Sequence, residues 1–194
     1  MSLQILLASS SRYRRELLGR LLPSFDSVSP DVDEHAFHDL EPTPDSLAQR
    51  LAAEKTLAVF RRFPDAIVIG SDQLVDLNGH VLGKPGTVSA AVHQLLSMSG
   101  KTHRLLTAVC IAAPGRPLTS ILNETRLTMR PLTADEALRY VERDQPLDCA
   151  GSYKIESLGI SLFENIETAD FTAIMGLPLI QVSQTLREFG VAIP

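Results

Sequence analysis

The chain has 194 residues, of which 44% are hydrophobic and 21% charged, and its formal net charge is −5. These proportions suit a soluble globular chain that buries a core without disulfide or metal staples. The acidic balance speaks against a general nucleic-acid binder, which is usually basic, but a few local cations can still hold a small phosphorylated ligand.

No apolar run approaches the roughly 18 residues of a membrane span, so no membrane partner is expected. The opening MSLQILLASS lacks the basic region of a signal peptide, and the expected compartment is the cytoplasm. Cys110 and Cys149 sit among apolar or small residues without metal-type spacing. They read as reduced core residues, with a disulfide or a nucleophile as the alternative.

Along the chain, LQILLA (3–8) is a short apolar run consistent with a buried strand. From Ser11 the pattern turns helical, with Leu17, Leu18, Leu21 and Leu22 on one face and Pro23 as the stop. Residues 24–43 carry Asp26, Asp31, Asp33, Glu34, Asp39 and Glu41 with Pro30 and Pro42, and Pro44 just beyond, and read as strand then loop. A helix is predicted over about 44–63, with Pro44 in its first turn and Leu47, Leu51, Ala58 and Val59 as its stripe. AIVIGSD (66–72) is the best strand, ending in Gly, Ser and Asp. QLVDL, then Asn78-Gly79, then HVLGKP reads as a hairpin with a type I′ turn. Residues 87–98 are helical by pattern, and 103–113 and 118–130 are two long strands joined by PGRP. A capping box opens a helix at Thr133, with Glu136 three residues on. GSYKIE and LGISLFENIE read as strands or irregular structure, and Pro178 begins a last helix to about 189. With no repeats and no flexible linker, the order implies an α/β or α+β chain with a mixed sheet.

Several residues could carry chemistry. Ser9, Arg14 and Arg15 stand where a strand passes to a helix, and free N–H groups, hydroxyls and forked cations there suit an anion. Arg14 and Arg15 are about 100° apart on a helix, so one of the two faces a ligand. The alternative is an N-cap followed by a solvated basic helix. Asp72 closes an apolar run at the expected C-terminal end of a buried strand, where open α/β sheets place ligands. An acid there can hold a metal or take a proton from water, or simply cap a turn. Lys84 precedes Pro85, which holds it in extended geometry, and it is a phosphate contact or a surface turn lysine. Lys55 lies four residues after Leu51 on the apolar side of its helix, where a lysine either snorkels out or serves a site. Glu34, in the acidic loop, reads by itself as solvated. There is no Walker A loop, because proline follows the lysine of GHVLGKPG. The five scattered histidines do not suggest a metal site.

The series LASSSRYRR (7–15), VDE (32–34), AEK (53–55), GSDQ (70–73) and GKP (83–85) resembles the Maf family of nucleotide pyrophosphatases. The likeness continues through CAGSYKIESLGISLFE (149–164) and MGLPL (175–179). It implies one domain over residues 1–194, related to ITPases: an elongated mixed sheet flanked by helices, with two lobes and a central cleft. It also implies cleavage of a nucleoside triphosphate to the monophosphate and pyrophosphate, with a divalent metal cation, Mg2+ or Mn2+, as cofactor. By motif, Asp72 is the base or metal-associated acid and Glu34 a further metal or water partner. Ser9, Arg14, Lys55 and Lys84 are phosphate contacts, and Lys55 and Lys84 share in catalysis. Tyr13, Gln73 and Glu156 resemble the branch that prefers 7-methyl-GTP, whose cationic base suits an aromatic face and a carboxylate. Tyrosine stands where that branch commonly has tryptophan, and Arg12 where the family usually has proline. The alternatives are a dTTP/UTP pyrophosphatase and a non-catalytic nucleotide-binding regulator of cell division. A homodimer is a further expectation from the family.

Overall fold

In the computed structural model of the chain, residues 3–38 and 40–194 are described. Asp39, one of the loop acids, lies outside them. The first strand, β1 (Ile5–Ala8), runs parallel to β2 (Asp26–Ser27) on one side and to β3 (Ile67–Leu77) on the other. The strand order is β2-β1-β3-β5-β6-β7, with β5 at Thr102–Ala112, β6 at Thr119–Met129 and β7 at Phe163–Glu167. The short β4 (His80–Leu82) pairs antiparallel with the far half of β3, and β7 pairs antiparallel with β6. The mixed sheet expected from the sequence is therefore present.

Contacts divide the chain into two compact units: 1–72, 107–123 and 170–194 form the first, and 73–106 and 124–169 the second. In the first unit the pleat explains the packing, because successive side chains leave a strand on opposite faces. Leu7, Ile67 and Ile69 turn to one side. There they meet Leu17 and Leu18 of α1 (Arg12–Leu18) and Val182 and Leu186 of α6 (Leu179–Glu188). Leu6, Ala8 and Val68 turn to the other side and meet Val59 of α3 (Pro44–Phe60). The small helix α2 spans His35–His38. Thr43 caps α3 in a reciprocal capping box with Ser46, and Pro44 sits in its first turn as expected.

Two sequence expectations are corrected here. The helix from Ser11 ends at Leu18 rather than running to Pro23, and 19–21 form turns. Asp72 does not end a strand, because β3 continues from Ile67 through Leu77 without a break. Asp72 lies just past the last residue that pairs with β1, Gly70 opposite Ala8. Gly70 itself is dictated by packing. A Cβ there would lie 2.3 Å from the Thr56 hydroxyl and 3.1 Å from the Ala52 carbonyl, so its absence lets α3 lie against the sheet.

The second unit holds α4 (Val88–Met98) and α5 (Ala134–Asp144), which pack on each other. The Asn78-Gly79 turn has positive φ at both residues, 53° and 86°, as a type I′ hairpin requires. The α5 capping box forms as read, with Thr133 N–H donating to Glu136 at 2.8 Å. GSYKIE and LGISLFENIE, which read as strands or irregular structure, hold short 3-10 turns at Ala150–Ser152 and Leu158–Leu162 followed by the strand β7. Both cysteines are free thiols, Cys110 buried and Cys149 half-buried. No described helix is long and apolar enough to cross a membrane.

Candidate active site

The first unit gathers five of the residues singled out from the sequence: Ser9, Arg14, Glu34, Lys55 and Asp72. On β3, Asp72 shares the parity of Val68 and Gly70, so it faces α3. The close approach at Gly70 brings Lys55 of α3 to it. Lys55 is only 7% exposed, and its ammonium donates to Asp72 Oδ1 at 2.5 Å. The same nitrogen lies 2.7 Å from Glu34, which is half exposed. Lys55 therefore does not snorkel, and Glu34 is not merely solvated. One cation joins a deep acid and a shallow one.

Asp72 is 4% exposed, and its second oxygen, Oδ2, is buried with no hydrogen-bond partner. Such an atom ordinarily costs about 1–3 kcal/mol, more when charged. Burial pushes the Asp72 carboxyl above the usual carboxylate range; Lys55 and then Arg14 pull it back, and Glu34 adds slightly to the rise. The result is a carboxylate with one oxygen held and one open, and with more basicity than an exposed aspartate.

Arg14 is placed by a second set of contacts. Its Nη1 donates to the Ser9 hydroxyl at 3.4 Å, and its Nε donates to the Gly176 carbonyl at 3.2 Å. Burial lowers its affinity for the proton, while Asp72 and Glu34 raise it. Of the neighbouring arginines, Arg15 turns to the Ser27 hydroxyl at 3.1 Å. Arg12 pairs with Glu16 at 2.8 Å in solvent. Only one of Arg14 and Arg15 joins the cluster, as their angular separation requires.

Two supporting residues escaped the sequence reading as site residues. The Gly176 carbonyl accepts from Arg14 and also from the buried Ser71 hydroxyl at 2.9 Å. Gly176 has φ of 108°, which favours glycine, and a Cβ there would lie 3.2 Å from Arg14 Nε, so any side chain would press on the arginine. The only sequence signal was its place in M-G-L-P-L.

Tyr13 is half-buried on α1 in the first unit. Gln73, Lys84 and Glu156 belong to the second unit. Gln73 is half-buried on β3; Lys84 is exposed after β4; Glu156 is exposed in the turn between the two 3-10 segments. Among the described residues, no group of three or more His, Cys, Asp or Glu side chains is placed to hold a metal ion.

The fold and cluster define a mixed α/β protein with a buried aspartate–lysine pair backed by an arginine. Its fold resembles that of the Staphylococcus aureus Ham1 protein, with a TM-score of 0.54 at 15% identity, covering 97% of this chain and 100% of that one. The profile described as Maf-like protein matches residues 4–189, and the chain belongs to that family. A protein of Xanthomonas axonopodis pv. citri named 7-methyl-GTP pyrophosphatase is 51% identical over 191 residues, 98% of this chain and 99% of the relative. A protein of the same name from Bdellovibrio bacteriovorus is 46% identical over 185 residues, 95% of this chain and 96% of the relative.

Proposed function

We propose that this chain, as one catalytic domain over residues 1–194, hydrolyses 7-methyl-GTP to 7-methyl-GMP and pyrophosphate and so clears modified nucleotides from the cytoplasmic pool. The observation that carries the reading is near-full-length identity of about half the residues to proteins of that name. The open oxygen of Asp72 supplies the chemistry. Oδ2 takes a proton from water, the water oxygen bonds to the α-phosphorus, and the bond to the bridging oxygen breaks so that pyrophosphate departs. Arg14, with Ser9 behind it, and Lys55 and Lys84 take phosphate oxygens and balance the charge that builds as the anhydride opens.

The donor set fits a divalent metal of the Mg2+ or Mn2+ kind, which commonly binds through one or two carboxylates and completes its shell with phosphate oxygens and water. Glu34 would hold it, with Asp72 as the second carboxylate if its unpartnered oxygen serves the metal instead of the proton. When bound it neutralises phosphate charge. Tyr13 offers an aromatic face to the cationic methylated base, and Glu156 and Gln73 offer acceptors to its N–H groups. The reading takes a nucleoside triphosphate as the partner, with no nucleic acid and no membrane, and a homodimer as the assembly.

The test is turnover of 7-methyl-GTP, GTP, dTTP and UTP by the pure protein, with products identified. We expect 7-methyl-GTP to be preferred and pyrophosphate to be released. Equal or faster turnover of dTTP would overturn the base assignment, and nucleotide binding without turnover would reduce the chain to a binding protein.

A further inference from the structure

The second unit carries a groove of about 530 Å³ between α5 and the 3-10 turn at Leu158–Leu162. That size lies in the usual range for small-molecule sites, roughly 300–1,000 Å³. Its lining combines apolar and charged groups. Leu158 and Leu162 give it an apolar floor, and Arg130, Arg139 and Arg143 stand around it.

The three arginines are not equivalent. Arg130 is committed: it donates to Glu136 at 2.9 Å and to the carbonyls of Ser161 and Pro131 at 3.1 and 3.0 Å. Arg139 and Arg143 are exposed, and among the described residues neither makes an ion pair or side-chain hydrogen bond. They lie one turn apart on the same helix face, so two guanidinium forks point over one floor. Glu142, three residues after Arg139, shares that face and also lines the groove. With Arg130 and Glu136 cancelling, the groove keeps one excess positive charge in a chain whose net charge is −5.

We propose that this groove is a second ligand site, separate from the Asp72 cluster, for a small organic phosphate of nucleoside monophosphate size. Two adjacent guanidiniums match a phosphate dianion by charge and by forked geometry. The leucine floor takes a planar body. Glu142 accepts N–H groups at the edge of that body, as a carboxylate does from the N1–H and amino group of a guanine. No other residue of the groove is asked to change its partners.

The experiment is calorimetric titration of the full chain with GMP, beside the double variant R139Q/R143Q. Glutamine keeps helix propensity at both exposed positions, and circular dichroism verifies the fold. The single variants R139Q and R143Q serve if the double variant does not fold. The expected result is that the variants bind one equivalent less of GMP, or bind it at least tenfold more weakly. Pyrophosphate release from substrate, without added GMP, stays within twofold of wild type. Inorganic phosphate binds at least tenfold more weakly than GMP, because it makes no use of the leucine floor. Unchanged GMP binding in the variants overturns the site. Loss of pyrophosphate release along with binding overturns its separateness from the catalytic cluster. Equal binding of inorganic phosphate overturns the organic body. A glutamate-rich peptide that binds through both arginines while GMP does not would overturn the small ligand in favour of a protein partner.

Discussion

Two aspartates on one strand are buried to the same degree and treated in opposite ways. Asp72 and Asp76 of β3 are 4% and 3% exposed. Asp76, in the second unit, is satisfied at both oxygens. Oδ1 accepts the Gly79 N–H at 2.6 Å and pins the hairpin turn, while Oδ2 accepts from Arg104 Nε at 2.8 Å and lies 2.7 Å from its Nη2. Arg104 in turn reaches Glu124 at 3.1 Å, so the pair is stitched across three strands. Asp72, in the first unit, has one oxygen on Lys55 and the other on nothing. Burial alone therefore does not mark a functional acid. A closed set of partners marks a structural one, and an open valence marks the one available for chemistry.

The largest test of that contrast is to remove each charge while keeping the shape. Asp72→Asn should lower the rate of pyrophosphate release by about 10²–10⁴-fold, the usual contribution of a positioned base. Stability should change by no more than about 1 kcal/mol, because the amide oxygen still accepts from Lys55 and the cost of burying a charge disappears. Asp76→Asn should do the reverse. Both Asp76 oxygens accept, so the new amide NH2 must face the Gly79 N–H or the Arg104 guanidinium, donor against donor, which should cost about 3 kcal/mol in denaturant unfolding, with turnover within a few-fold of wild type. Near-normal turnover in Asp72→Asn would end its assignment as base.

His103 is a third deeply buried titratable side chain, and it combines features of both aspartates. It lies in the second unit, 1% exposed, and yet its Nδ1 has no partner. Its Nε2 lies 3.1 Å from the Tyr153 hydroxyl, and both rings pack around Phe163. Burial lowers the His103 value from 6.5 to about 4, with Asp76 opposing. As pH falls, the unfolded chain takes up this proton near 6.5 and the folded chain only near 4. The associated stability is complete above 6.5 and is lost as pH drops towards 4, amounting to about 3 kcal/mol. His103→Gln should remove most of that slope from a plot of unfolding free energy against pH. An unchanged slope would mean that the histidine is protonated in the fold and that the second unit is less closed than it looks.

Much of this was legible in the residues. Ser9, Arg14, Lys55 and Asp72 stand out one by one and Glu34 only through the resemblance, and the hairpin turn and the Thr133 capping box follow from local chemistry, whereas the Thr43–Ser46 box was not read from the sequence. What local pattern could not supply was partnership over distance. Gly-Ser-Asp reads as a strand end because all three are poor strand formers. The strand continues because Gly70 packs on Thr56, Ser71 bonds the Gly176 carbonyl and Asp72 holds Lys55. Lys55 falls on the buried stripe of α3 between Ala52 and Val59, and only the two acids elsewhere in the chain decide whether it turns outwards or stays. Residues 150–162 have no helix or strand period, and their 3-10 turns follow from anchors outside the segment. Ser152 donates to Gln94, and the Lys154 N–H donates to Tyr140.

The smallest expected effects concern the position of a pH limb rather than a rate. If Asp72 must be ionised to take the proton, kcat/KM falls as pH drops through its titration. Burial raises that titration above the ordinary value of 3.8, so the acid limb should lie higher than that of an exposed aspartate. The neighbours then act with opposite signs. Lys55 favours the carboxylate, so Lys55→Gln should move the limb upwards in whatever activity remains. Glu34 disfavours it, so Glu34→Gln should move the limb downwards, and by less, because its influence is the weakest of those acting on Asp72. The shifts separate charge effects from simple loss of phosphate contacts, which would lower the whole profile without moving it. Limbs that move together in both variants would place the titrating group somewhere other than Asp72.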